Sequence, residues 1–303
     1  MSSTITQSRK EYLIGFLGDY NYPVEAQRAL TDAFDLIFSD RVAALLYEEI
    51  LRRFEKDPDE KYTYLIEASE MIAGKCAINR YTVYLLVLIL LSESSKRVYA
   101  ERKVSKEMWR DNMRDLKYWC DQCILTKGVC GTFCPDWSRG FLSAKRFTFG
   151  KLQFEIDRIG KPYEKGDVRL LPDDKVIFIH IPRTGERLLP EDVEESCARA
   201  SAFFRERYGI TQVIFACHSW ILYPENKNIL SEKSNLYSFI SRFEVIDVVE
   251  DTDYKELWRL FDVDYTGNAE KLPQDTSLRR AYAQRVKENL PLGVALGVWI
   301  YKE

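Results

Sequence analysis

The chain has 303 residues, 46% of them hydrophobic and 30% charged, which is the composition of a folded globular protein with room for two domains. A net charge of -3 gives no basis for binding nucleic acid or an anionic membrane surface. The longest apolar run, Val83 to Leu91, falls far below the ~20 residues a bilayer span needs, the first residues lack the apolar stretch of an export signal, and the seven cysteines are expected as reduced thiols in a cytoplasm.

From Ser8 to about Lys127 the apolar residues recur at helical spacing, so residues 1–140 are expected to form an all-α domain. Glu11 to Leu17 reads as a short first helix. Pro23 opens a second, with Ala26, Leu30, Phe34 and Ile37 on one face. Asp40 suits the N-cap of a third helix, which presents Ala43, Tyr47, Ile50 and Phe54. After the turn at Lys56–Glu60 a fourth helix runs from about Lys61 to Ala73. Asn79 to Lys96 is apolar nearly all round and is expected at the centre of the domain. A last helix spans about Ser105 to Thr126. Cys120, Cys123, Cys130 and Cys134 form a C-x2-C-x6-C-x3-C series. Four thiolates can hold zinc, but the first pair lies inside a helical pattern and the middle gap is short for a ribbon, so plain thiols and no metal are expected.

Beyond Trp137 the pattern changes, and residues 141–303 read as a mixed α/β domain; the whole is an α+β chain of two domains. Phe147 to Ile156 alternates with period 2 and reads as one strand with a glycine bend. Val168 to Leu171 is a short strand. Lys175 to Pro182 is an apolar strand ending in a histidine and a proline. Pro190 opens a helix through about Tyr208, and Gly209 closes it. Thr211 to Leu222 is the next strand, Asn235 to Arg242 a helix, Phe243 to Val249 a strand and Tyr254 to Phe261 a helix. A helix ends near Leu290, and Leu292 to Tyr301 is a final strand. Gln274, Asp275 and Ser277 precede that last helix as capping residues, and Ser234 and Asn235 precede theirs.

His180 and His218 are the only histidines, and each lies near the C-terminal end of a strand. Two strands joined by a helix run parallel in one sheet, and their C-terminal ends share the edge where open α/β sheets bind ligands. Alternation puts Val176, Phe178 and His180 on one face, and Ile214, Ala216, His218 and Trp220 on one face. Both imidazoles are therefore expected in one cleft, with Cys217 turned away from it.

The segments Gly150–Glu155, Ile179–Pro182, Phe215–Leu222, Ser234–Asn235 and Leu272–Arg280 resemble a bacterial family of acyltransferase-domain proteins. That family pairs a helical N-terminal domain with a C-terminal domain shaped like GNAT N-acetyltransferases. The resemblance implies acyl transfer from acyl-coenzyme A, as co-substrate, to an amine on a small molecule or peptide. His180 or His218 would be the base, and Ser219 or backbone N–H groups between splayed strands would serve the oxyanion. It also places the donor's pyrophosphate at Arg183, Thr184, Gly185 and Arg187, in the loop before the helix. Glu186, Glu191, Asp192, Glu194 and Glu195 crowd that helix start, and acidic groups there repel a pyrophosphate. This feature favours the alternative reading, a non-catalytic GNAT-like module that binds a metabolite or partner. A third chemistry, hydrolysis or elimination by carboxylates such as Glu155 and Glu186 with a histidine, is also open.

Overall fold

The computed structural model describes residues 3–302. They divide into two compact units, 3–146 and 147–302.

The first unit is helical: α1 (Ser3–Asp19), α2 (Val24–Ser39), α3 (Arg41–Lys56), α4 (Thr63–Cys76), α5 (Arg80–Glu101), α6 (Lys106–Lys127) and the single turn α7 (Arg139–Leu142). Residues Val83 to Leu91 of α5 are buried without interruption, so this helix is the unit's centre. Capping follows the sequence: Asp40 accepts from Val42 and Ala43 N–H at 2.9 Å, and Ser105 accepts from Met108 N–H at 3.1 Å. Gly128, at φ +66°, ends α6 in the left-handed region. Helix α1 is longer than its apolar residues indicate. Its first turns are polar and are tied down by ion pairs, Arg9 with Glu48 and Lys10 with Asp35 at 2.6 Å, which apolar periodicity does not register. No described helix is long and apolar enough to cross a membrane.

The second unit contains β1 (Arg146–Phe149), β2 (Leu152–Arg158), β3 (Tyr163–Lys165), β4 (Val168–Leu170), β5 (Lys175–His180), α8 (Pro190–Tyr208), β6 (Ile214–Ser219), α9 (Glu225–Ile229), α10 (Asn235–Ile240), β7 (Glu244–Asp251), α11 (Trp258–Phe261), α12 (Ser277–Lys287) and β8 (Leu292–Ile300). Six strands form one sheet in the order β1-β2-β5-β6-β8-β7, and β3 and β4 form a separate ribbon. Strands β5 and β6 pair in parallel; β2 with β5, β6 with β8 and β7 with β8 are antiparallel. One face carries Val176, Phe178, Ile214, Ala216, Leu296 and Val298, and packs under Tyr163, Val168 and Leu170 of the ribbon. On the other face Phe154 meets Phe215 at 5.7 Å, and Phe147 and Phe149 meet Phe203 and Phe204 of α8. A third apolar cluster lies between β7 and α12 and is built on Tyr254, Leu257, Phe261, Leu272 and Tyr282.

Four local expectations are corrected. Residues 147–156 form two neighbouring strands, because Gly150 at φ +57° turns the chain and Ser196 Oγ accepts the Lys151 N–H at 3.0 Å. The strand from 211 stops at Ser219. The Ser219 hydroxyl accepts from Ile221 N–H at 3.2 Å, and Asn226 donates to the Trp220 and Ile221 carbonyls, so Trp220 enters a tight turn and leaves the face of His218. Between 254 and 261 only the last turn is helical. Asp251 and Asp253 each accept the N–H two residues on, at 3.1 Å, which competes with helix. The cap of α12 is Thr276, which accepts from Arg279 N–H at 3.1 Å, while Asp275 pairs with the Arg279 side chain.

Candidate functional site

Pairing between β5 and β6 comprises Ile177 with Phe215 and Phe178 with Ala216, and goes no further among the described residues. Both strands continue, β5 to His180 and β6 to Ser219. Each keeps its outer neighbour to the end: His180 stays opposite Gln153 of β2, and Ser219 stays opposite Ala295 of β8. The inner ladder is therefore lost while the outer ladders persist, and a wedge opens between the two strands at their C-terminal ends. The two strands share no register beyond Phe178 and Ala216 among the described residues.

Extending the register by two places sets His180 level with His218. Both lie on the face of Val176, Phe178 and Ala216, by alternation. His180 is largely buried, and its Nε2 lies 2.7 Å from Glu155 Oε1; the two side chains are 19% and 20% exposed. Glu155 stands opposite Phe178, one diagonal step from His180 on the same face. Gln153, directly opposite His180, is buried. His218 is exposed, and its side chain makes no hydrogen bond or ion pair among the described residues. Cys217 is buried on the other face, and burial pushes its thiol up to about 12, so it is no thiolate at neutral pH. Ser219 alternates onto the Cys217 side, where its oxygen caps the turn that follows.

The loop between β5 and α8 is bound on both sides. Arg183 pairs with Asp262, which also accepts from Arg279 Nη2 at 2.5 Å. Thr184 Oγ1 accepts from Glu186 N–H at 3.2 Å, and Gly185 turns at φ +77° with open space around it. Glu186 pairs with Lys151 of the β1–β2 turn. Arg187 is exposed and has no partner among the described residues. Asp192 accepts from Leu189 N–H at 3.1 Å and so supplies negative charge at the start of α8 from within the chain. Four of these loop positions were expected together, and the structure adds what they touch. Lys151 and Arg279 fall within segments that carry the resemblance, but nothing in the sequence pairs them with Glu186 and Asp262. Glu155 had a sequence signal: in an antiparallel pair, residues of matching parity meet on one face.

Among the described residues no group of three or more histidine, cysteine, aspartate or glutamate side chains is placed to hold a metal. All seven cysteines are free thiols. Burial pushes Cys120 upward and Cys123 up to about 12.

Residues 147–299 match the family of GNAT-like C-terminal domains, and residues 11–144 match the N-acyltransferase N-terminal domain. No curated protein matches the sequence. Among solved structures, an acyltransferase in complex with decanoyl-CoA and teicoplanin is 21% identical, with a TM-score of 0.74 over 94% of this chain and 86% of that one. A mutant acyltransferase in complex with octanoyl-CoA is 20% identical, with a TM-score of 0.75 over the same shares. An acyltransferase with CoA and 10C-teicoplanin is 20% identical, with a TM-score of 0.74 and again the same shares. At these identities the likeness is one of fold.

Proposed function

This chain belongs to the family of GNAT-like C-terminal domains, and on that premise we propose that it is an N-acyltransferase that moves an acyl group from acyl-coenzyme A to an amine on a small molecule or peptide. The observation that carries the reading is the wedge between β5 and β6, with both histidines of the chain level on one face at its mouth. An elongated thioester donor lies along the wedge, where strand backbone groups bond its amides and one N–H meets the thioester oxygen. The acceptor amine attacks the thioester carbon: an N–C bond forms, the C–S bond breaks, and coenzyme A leaves as the thiol after taking up a proton. The amine's own proton passes to an imidazole, His180 or His218. Arg187 is the loop cation in reach of solvent for the donor's phosphates, with Gly185 and Thr184 shaping the turn; Arg183 joins it only by leaving Asp262. Ser219 is the less suited oxyanion donor, because it alternates away from the histidines.

The residues fit an acyl donor at the wedge better than at the helix start, where the Asp192 carboxylate holds the Leu189 N–H and Glu191, Glu194 and Glu195 stand nearby. That crowding supports the second reading, a GNAT-like module that binds a metabolite or partner without catalysis. Calorimetric titration with acetyl-, octanoyl- and decanoyl-CoA, followed by mass spectrometry of an amine pool incubated with the same donors, separates the two. Acylated amine and free thiol are expected. Binding without thiol release supports the module, and no binding to millimolar donor sinks the acyltransferase.

A further inference from the structure

The geometry assigns Glu155 as a positioning residue that holds His180 by Nε2 and fixes which ring nitrogen carries the proton. The inference rests on the proposed role of His180 as proton acceptor in acyl transfer. An ionised carboxylate only accepts hydrogen bonds, so a neutral imidazole 2.7 Å from it must present Nε2–H. The basic lone pair of the ring is then on Nδ1. When Nδ1 takes the amine's proton, the imidazolium sits against the carboxylate in a site four-fifths screened from water. The hold is rigid because Glu155 lies within the β2–β5 ladder, whose register runs from Arg158 with Lys175 to Gln153 with His180.

Other charges share this face. On β7, three strands from β5, it carries Asp247, opposite Leu296 and paired with Lys161 at 3.1 Å, and Glu244, opposite Val298 and paired with Lys165 at 2.8 Å. On β2 it carries Asp157, opposite Val176, with Gln153 neutral; on β5 it carries Val176 and Phe178. On β6 it carries His218. From the covering ribbon comes Tyr163, which donates to Glu244 at 3.1 Å and is pushed up to about 12, chiefly by burial, so it is uncharged. Beyond His180 the loop brings Arg183, paired with Asp262. Glu155 is therefore the anion that acts on His180 through a direct bond, and His218, exposed on the next strand, is an internal reference.

With two histidines in the chain, long-range proton–nitrogen NMR reads both rings of the full-length protein with no substrate present, and the His218→Gln variant assigns them. Neutral His180 is expected as the Nε2–H tautomer. In Glu155→Gln its titration moves to lower pH and the tautomers mix, while the His218 signal stays in place and reports an intact fold. Should that variant misfold, Glu155→Asp keeps the charge one methylene short and still weakens the preference. In turnover with decanoyl-CoA, Glu155→Gln should lower kcat by roughly 10- to 100-fold and move the acid limb of the pH profile to lower pH, with partial rescue by aspartate. An Nδ1–H tautomer in the native chain, or a His180 titration unmoved by Glu155→Gln, overturns the assignment. A native chain with the fixed tautomer and no acyl-CoA turnover instead sinks the acyltransferase reading and leaves the hold on the ring standing.

Discussion

Gly150→Ala tests the turn that sets β1 and β2 against the helix following the candidate loop. Gly150 sits at φ +57°, where a Cβ costs about 1–2 kcal/mol. That Cβ would also lie 2.6 Å from Ser196 Oγ. The hydroxyl accepts the Lys151 N–H at 3.0 Å and donates to the Asp192 carbonyl at 2.6 Å, so it must give up the first of these bonds to make room, at about 1 kcal/mol. The sum is about 2–3 kcal/mol. Ser196→Ala alone loses that bond together with the one to the Asp192 carbonyl, about 1–2 kcal/mol. In the double variant the new methyl meets nothing closer than the Ser196 Cβ position at 3.6 Å, and the bond from Lys151 N–H is lost only once. The two changes should therefore fall short of additivity by about 1 kcal/mol. Urea unfolding of the full chain gives each cost as a midpoint shift at unchanged slope, and hydrogen exchange should locate the loosening in the β1–β2 peptides. A Gly150→Ala cost under about 0.5 kcal/mol, or strict additivity with Ser196→Ala, refutes the reasoning.

Burial opposes ionisation of Asp59, but hydrogen bonds from Lys145 at 2.8 Å and Arg102 at 2.9 Å outweigh it and hold its carboxyl below the usual range. Its stabilisation is thus present above the unfolded value of about 3.9 and is lost as pH falls through the lowered native one; Asp59→Asn should cost about 1 kcal/mol or less at neutral pH, with the gap from wild type closing in acid melts. Cys76, Cys130 and Cys134 are half-buried and should react with an aromatic disulfide reagent in the native state, whereas Cys120, Cys123, Cys197 and Cys217 should react only on unfolding. A fast phase of more than three thiols would contradict the burial. Under the acyltransferase reading, Arg187→Ala should raise the apparent KM for acyl-CoA by roughly three- to fivefold with little change in kcat, because one exposed cation is lost from donor binding alone. A fall in kcat with KM unchanged would place Arg187 elsewhere in the cycle.

The two-unit architecture and the strand–helix–strand core were legible because each rests on local periodicity and on chain punctuation. Pro190 and Gly209 bound α8 in the sequence and in the fold, and the helix between β5 and β6 required them to be parallel. Where two local preferences compete, periodicity was a poor guide. Gly150 was read as a bend because alternation persists through it, yet its positive φ lets the chain reverse. Ser219 and Asn226 end a strand that apolar content alone would carry to Leu222. The level of the two histidines followed from parity and topology. Their different surroundings did not, since those depend on β2 being the other neighbour of β5, and no property of residues 152–158 names its partner strand.

The charges around the candidate site bear on how a donor is held. Asp192 serves the start of α8, Glu186 is matched by Lys151, and Arg183 and Arg279 converge on Asp262. A loop that neutralises itself in this way offers a phosphate little beyond Arg187, since the helix dipole that would attract an anion is already met by a carboxylate of the same chain. The wedge offers something different in kind. Its backbone donors and acceptors belong to strands held at fixed spacing by β2 on one side and β8 on the other, so they are oriented before any ligand arrives. Binding energy drawn from such groups is directional and weakly screened by salt, whereas energy drawn from an exposed arginine is neither. A ligand gripped along the strands presents its reacting end at the mouth of the wedge, which is where the sheet delivers His180 already bonded to Glu155. Under the acyltransferase reading, placement of the reacting group and readiness of the base are thus set by one element, the β2–β5–β6 ladder, and the self-paired loop leaves that ladder the task of recognition.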